Sequence, residues 1–153
     1  MPMSPRTSRQ SSVVSGIVYI DGASLGNPGP AGLGVVFVDG QGKPITQLYK
    51  YLGETTNNVA EYLALLYALQ EAQIRGLRRL VVKTDSELLA KQFSGEYKVR
   101  DGILRLFHDF ARQVAKGFEQ LSIEHVSRTQ NTQADRLANE AIETRFDTSI
   151  KTV

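Results

Sequence analysis

Four acidic residues fall where a reading of the chain puts the ends of structural elements: Asp21, Glu61, Asp85 and Asp135. Asp21 follows the apolar run Ile17-Val18-Tyr19-Ile20, and Asp85 lies three residues after the last of Leu80-Val81-Val82. Glu61 falls in the first turn of a helix opening near Asn57, and Asp135 in the first turn of one opening near Asn131. In open α/β sheets ligands gather beyond the carboxyl ends of the strands. Two such strands side by side would bring Asp21 and Asp85 together there, and a helix packed on the sheet would add Glu61. Carboxylates collected in one place repel unless a proton or a cation lies between them. The chain has no cysteine and only two histidines, so the donors on offer are hard oxygens, which suit Mg²⁺ or Mn²⁺ rather than Zn²⁺. Two such ions about 3.5–4 Å apart can activate water and stabilise the leaving oxygen of a phosphodiester without a protein nucleophile.

Each carboxylate also has a plainer reading. Asn58-Val-Ala-Glu61 has the spacing of a capping box, and Asp85 could cap a helix opening at Ser86. Asp135 could complement a helix dipole, and Asp21 could be a turn residue before Gly22. Spacing alone leaves both sets of roles open.

Pattern supplies the elements that must hold these residues. Ile17–Ile20 reads as a strand ended by Asp21-Gly22, and Gly26-Asn27-Pro28-Gly29-Pro30 as a turn. Gly32–Val38 is a second strand, Asp39-Gly40-Gln41-Gly42 a hairpin turn, and Pro44–Leu52 a third strand. From Val59 to about Ala72 the chain is dense in helix formers and apolar on most sides, as in a buried helix, with Asn57 or Asn58 as its cap. Leu80–Val82 makes a fourth strand and Ser86–Phe93 a short helix. Gly95–Arg100 is a polar loop. A helix follows over Ile103–Ala115, with Ile103, Leu104, Leu106, Phe107, Phe110 and Val114 on its apolar side. Leu121–Val126 is a fifth strand, and Asn131–Thr144 the last helix. The order β-β-β-α-β-α-α-β-α implies an α/β fold: a mixed five-stranded sheet, an antiparallel meander joined by parallel strands, with helices on both faces.

The 153 residues suggest one domain, taken as 16–146, between a Ser-, Arg- and Pro-rich tail at 1–15 that reads as disordered and a short tail at 147–153. A net charge of +2 permits a nucleic-acid partner without arguing for one. The lack of cysteine excludes disulfides and suits a reducing compartment. No apolar run approaches membrane-spanning length, and Met1–Ser12 lacks the apolar core of a secretory signal. The expectation is a cytoplasmic protein with no membrane contact. With no evident apolar stripe left exposed, it is also expected to be a monomer.

The stretches around the four carboxylates carry a resemblance. Tyr19-Ile-Asp21-Gly-Ala-Ser24-Leu-Gly-Asn27-Pro-Gly-Pro30 looks like the first-strand signature of type 1 ribonuclease H. Thr55-Thr-Asn57-Asn58-Val-Ala-Glu61, Thr84-Asp85-Ser86 and Asn131-Thr-Gln-Ala-Asp135-Arg-Leu-Ala138 resemble that family's second, third and fourth motifs, in the family's order, over about residues 17–145. The resemblance implies the ribonuclease H-like fold, with Asp21, Glu61, Asp85 and Asp135 as catalytic ligands of two Mg²⁺ or Mn²⁺ ions. It implies endonucleolytic hydrolysis of the RNA strand of an RNA–DNA hybrid, leaving 5′-phosphate and 3′-hydroxyl ends, with double-stranded RNA as a further candidate substrate. Residues matching Ser24, Asn27, Asn57 and Asn58 contact the hybrid's minor groove in the family, where hydroxyl and amide groups reach base edges and 2′-hydroxyls. Asn131, in the fourth motif, is carried over as a substrate contact. A non-catalytic hybrid-binding module and a nuclease of the same superfamily acting on structured DNA are the competing readings. The intact carboxylate set speaks against the first, and the asparagines against the second.

Two departures stand out. Many bacterial members insert a helix and a basic loop between the third and fourth motifs, and Phe93–Gly102 is too short to hold them. With Lys91, Lys98 and Arg100 as the nearby cations, hybrid binding is expected to be weak and its salt dependence shallow; Lys98 and Arg100 are the candidate contacts. Many members also carry a mobile histidine before the last carboxylate. The candidates here are His125, within a strand-like run, and Arg128, in the following loop, as in some compact members.

Overall fold

The computed structural model describes residues 15–145. The expected tails lie outside the described residues, except that Ser15 already belongs to the first strand. The elements are β1 (Ser15–Ser24), β2 (Gly29–Val38), β3 (Pro44–Thr55), α1 (Asn57–Ile74), β4 (Arg79–Thr84), α2 (Glu87–Ser94), α3 (Gly102–Ala115), β5 (Gln120–His125) and α4 (Thr132–Glu143). This is the expected order, with one addition: a 3₁₀ turn at Arg128–Gln130.

The strands lie in the order β3-β2-β1-β4-β5. β1 pairs antiparallel with β2 and β2 with β3, while β4 runs parallel to both β1 and β5. The mixed sheet follows from the connections. Tight turns can join only antiparallel neighbours, whereas the parallel β1–β4 and β4–β5 pairs need helical crossovers.

Side chains alternate across the sheet. Val18, Ile20, Leu33, Val35 and Phe37 pack with Leu65, Leu69 and Tyr62 of α1, while Ile17, Tyr19, Val36 and Val38 pack with Ala134 and Leu137 of α4. Helices therefore cover both faces, and β2 is buried along nearly its whole length because it lies between them. α1 buries eight of its 18 residues. Leu65 and Leu69 are wholly inaccessible, each worth about 1.5–3 kcal/mol of burial.

Three expectations need correction. Asp21 does not end β1, which continues to Ser24 paired with Ala31. Gly22 is thus a strand residue, and Asp21 sits within the ladder opposite Gly34. The cap of α1 is neither Asn57 nor Asn58 but Thr56, whose hydroxyl accepts from the Val59 N–H at 3.2 Å; the β-branched Thr56 holds extended backbone just ahead of the helix. Finally, an apolar stripe is left exposed. Ile103, Leu106 and Phe110 of α3 are 55%, 66% and 57% exposed, so the premise behind the expected monomer does not hold. Among the described residues no helix is long and apolar enough to cross a membrane.

Candidate active site

The carboxylates meet because the sheet's centre and two helix starts come very close. Gly22 is the point of contact between β1 and α1. A Cβ there would run into the backbone of Ala60 and Glu61, so the bare glycine lets α1 lie directly on the strand. The Gly22 N–H then donates to Glu61 Oε1 at 3.1 Å, fixing a carboxylate that the capping-box reading would have turned towards Asn58. On the opposite face Gly34 does the same for α4, since a Cβ there would strike the Ala134 carbonyl oxygen. Gly34 is the residue paired with Asp21, so α4 delivers Asp135 beside Asp21.

Asp85 is freed for the site by its neighbours. Ser86 caps α2, its hydroxyl accepting from the Leu89 N–H at 3.1 Å, and buried Thr84 accepts from the Ser86 N–H at 3.0 Å. The cap reading of Asp85 therefore fails. Asp21, Glu61 and Asp85 each present an oxygen within 4.8 Å of the others', and Asp135 hydrogen-bonds with Asp21.

Asp21 and Glu61 are both only 4% exposed. Burial, followed by the charges of Glu61, Asp85 and Asp135 and the hydrogen bond with Asp135, pushes Asp21 up from 3.8 to about 10. Burial and then Asp85 push Glu61 up to about 8, against the Gly22 hydrogen bond and the positive charge of Arg128. In water of neutral pH this cluster holds protons or cations; it cannot stand fully ionised by itself. The donors are carboxylate oxygens from β1, α1, α4 and the loop after β4, which fits a hard divalent cation.

The other expected residues divide into groups. Asn27 and Asn57 are brought together, the Asn57 N–H donating to Asn27 Oδ1 at 2.9 Å. Both are exposed, while Ser24 at the end of β1 and Asn58 are half-buried. Asn131 is 1% exposed; its Nδ2 donates to the Ile20 carbonyl at 2.9 Å, which ties the start of α4 to the residue before Asp21, and its Oδ1 has no hydrogen-bond partner. Arg128 opens the 3₁₀ turn and its charge reaches Glu61. His125 remains in β5, exposed and paired with Thr84. Lys98 and Arg100 lie in the loop between α2 and α3. Sequence reading missed the Gly22 N–H, although a glycine directly after Asp21 was its visible signal.

Residues 19–141 match the reverse transcriptase-like family. Ribonuclease HI of Halobacterium salinarum is 44% identical over 125 residues, 82% of this chain and 63% of that protein. LC11-RNase H1, solved in complex with an RNA/DNA hybrid and isolated from compost by a metagenomic approach, superposes with a TM-score of 0.82 at 39% identity, covering 86% of this chain and 99% of that one. The chain belongs to the type 1 ribonuclease H family. A bifunctional protein of Mycobacterium tuberculosis is 39% identical over 128 residues, only 35% of its length, and its N-terminal RNase H domain has a TM-score of 0.83 over 88% of this chain. The chain thus spans between about a third and two thirds of the length of these curated relatives. One sizeable cleft, of about 550 Å³, lies at the far end of the sheet beside Ser15, Gly16 and Leu80.

Proposed function

We propose that the protein is an endoribonuclease that hydrolyses the RNA strand of RNA–DNA hybrids, using two Mg²⁺ or Mn²⁺ ions and leaving 5′-phosphate and 3′-hydroxyl ends. The observation that carries this reading is the triad of Asp21, Glu61 and Asp85 oxygens within 4.8 Å of one another, two of them on buried side chains that resist ionisation without a cation. Such ions, when bound, supply water activation and neutralise charge at a phosphodiester.

The chain's own groups divide the remaining tasks. Asp21, Glu61 and Asp85 hold the cations, with Asp135 completing the set beside Asp21. The Gly22 N–H keeps Glu61 in one orientation. The Arg128 guanidinium supplies a permanent positive charge on the Glu61 side, where it can meet a phosphate oxygen, and we favour it over His125 as the residue that assists turnover. Ser24, Asn27, Asn57 and Asn58 form the rim that reads the minor groove. The Asn57 backbone N–H, donating to Asn27 Oδ1, pre-orients the Asn27 amide. A nucleic-acid substrate and a cysteine-free chain fit the cytoplasm.

The test is cleavage of an end-labelled hybrid with Mg²⁺ or Mn²⁺, beside duplex RNA, duplex DNA and branched DNA. Hybrid cleavage lost in Asp21→Asn and Asp85→Asn, with phosphatase-sensitive 5′ ends on the product, is expected. Full activity in either variant, or cutting confined to DNA, overturns the reading.

A further inference from the structure

α3 carries more apolar surface than the fold buries. Leu104 and Ala111 face inward, Phe107 and Val114 pack at the margin of the core, and Ile103, Leu106 and Phe110 are left outside it. Between this row and α1 runs a groove of about 430 Å³, lined in part by Leu63, Leu66 and Tyr67 of α1 and by Phe107 and Phe110 of α3, with no charged residue in its wall. Phe110 belongs to both the row and the groove, so the two make one face. A contiguous apolar face of this kind marks an interaction surface, where single exposed apolar residues do not.

A whole aromatic side chain covers about 150–250 Å², so Phe110, 57% exposed, offers about 100 Å² of contact. Ile103 and Leu106 are exposed to a similar degree. With the half-buried side chains of the groove and the polar flank of α3, the face comes to about 600 Å², and two such faces together reach about 1,200 Å², where specific interfaces begin.

The polar flank indicates what covers the face. Arg105 and Asp109 are exposed, lie about one turn apart and directly precede Leu106 and Phe110. Within one helix this spacing suits an ion pair, yet none joins them among the described residues. Asp109 lies 3.7 Å from His108 Nδ1, and its side chain stays 72% exposed. In a two-fold pair of antiparallel helices each flank meets its own copy. An axis passing between Leu106 and Phe107 sets Ile103 against Phe110 of the second copy and keeps the two Leu106 side chains together at the centre. The same axis sets Arg105 beside Asp109 of the second copy, and Asp109 beside its Arg105. The apolar row and the charged flank therefore call for one and the same register, which an unrelated helix would match only by chance.

We propose that two copies of this chain associate through α3, packed antiparallel about a two-fold axis near Leu106, with Arg105 of each copy paired to Asp109 of the other. The inference is independent of the hydrolytic reading, because none of the four carboxylates belongs to this face.

Sedimentation equilibrium of the intact chain over a wide concentration range tests it. The mass should rise from that of one chain towards that of two. Leu106→Glu should hold the mass at one chain, with the circular dichroism spectrum and the Tm at low concentration unchanged, because the residue lies outside the core. Arg105→Asp and Asp109→Arg each set like charges face to face, and each should raise the dissociation constant by about tenfold. The two together should bring it back to within about threefold of wild type. Both reversals lie on the exposed flank, so they decide the matter even if Leu106→Glu fails to fold. A chain that keeps the mass of one at every concentration overturns the proposal. If removing residues 146–153 from such a monomer then increases its binding of an apolar dye, and Leu106→Glu abolishes the increase, the occupant is that segment; if dye binding is unchanged, the occupant is a different protein, and the second copy is refuted in either case. A dimer that survives Leu106→Glu, or a double reversal that associates no better than the single ones, overturns the proposal as well.

Discussion

Replacing Asp21 by Asn should stabilise the protein in the absence of divalent cations while abolishing its activity. Without a cation, Asp21 takes up a proton on folding at pH 7, because its pKa in the folded chain is pushed from 3.8 to about 10. Neutralising a carboxyl of ordinary pKa at pH 7 costs about 1.4 kcal/mol for each of roughly three units, or about 4 kcal/mol. Asn has nearly the same shape and no proton to acquire. Allowing for an imperfect hydrogen bond to Asp135, the expected gain is about 2–4 kcal/mol, which corresponds to a rise in Tm of about 5–15 °C for a chain of this size. The sign with pH is fixed by linkage. The folded chain binds more protons at Asp21 and Glu61 than the unfolded chain does, so metal-free stability falls as pH rises from about 4 towards the folded values. Asp21→Asn removes one of the two contributions. Thermal unfolding in EDTA from pH 5 to 8 should show the variant's advantage growing with pH. Mg²⁺ should then raise the wild type's Tm and leave the variant's nearly unchanged. A variant no more stable than wild type at pH 8 in EDTA, or an advantage of equal size at pH 5 and pH 8, would refute the reasoning.

Other substitutions separate the scaffold from the chemistry. Gly34→Ala would push a methyl group into the Ala134 carbonyl and lift α4 from β2. Denaturant titration should show a loss of about 1–3 kcal/mol, and the Tm shift induced by Mg²⁺ should shrink, because Asp135 moves with the helix. Thr56→Ala removes the α1 cap and should cost about 1 kcal/mol, whereas Asn57→Ala and Asn58→Ala should leave stability near wild type and raise KM for the hybrid. Arg128→Ala should lower turnover by roughly 10–100-fold and His125→Ala should barely change it; the reverse result in single-turnover cleavage would assign the assisting role to His125.

Much of the fold was legible in the sequence because period and punctuation agreed. The apolar run Leu80–Val82, the helix-forming stretch from Val59 and the turn at Asp39–Gly42 each point one way. What was hidden depended on contacts between distant segments. Asp21-Gly22 has the composition of a turn, yet β1 continues through it because β2 pairs with it residue for residue up to Ser24–Ala31. Asn57 and Asn58 are good caps, but Thr56 lies at the position where the backbone is still extended. Asn131 belongs to a recognisable motif, and only the sheet shows that its amide is buried against Ile20. Phe110 and Leu106 fit a helix's apolar side, but nothing local says that this side is wider than the surface α1 offers it. The four carboxylates were legible as a set through the motifs around them. That Asp21, Glu61 and Asp85 lie within 4.8 Å of one another was not.

The two glycines explain why that convergence persists against its own electrostatics. Four carboxylates drawn from β1, α1, the end of β4 and α4 would drift apart if the elements bearing them could separate slightly. They cannot do so cheaply. α1 rests on Gly22 through backbone contact, and α4 rests on Gly34 in the same way, so both helices sit at the closest approach the chain allows. The apolar packing that holds them there, Leu65 and Leu69 on one face and Ala134 and Leu137 on the other, gains far more than a small outward shift would relieve. The repulsion therefore remains as raised affinity for protons, or for the divalent cations that replace them. If that account is right, widening either contact by a single methyl group should bring the carboxylates closer to ordinary acids. In the metal-free protein, Gly34→Ala should then lower the pKa of Asp21 even though it alters no charge.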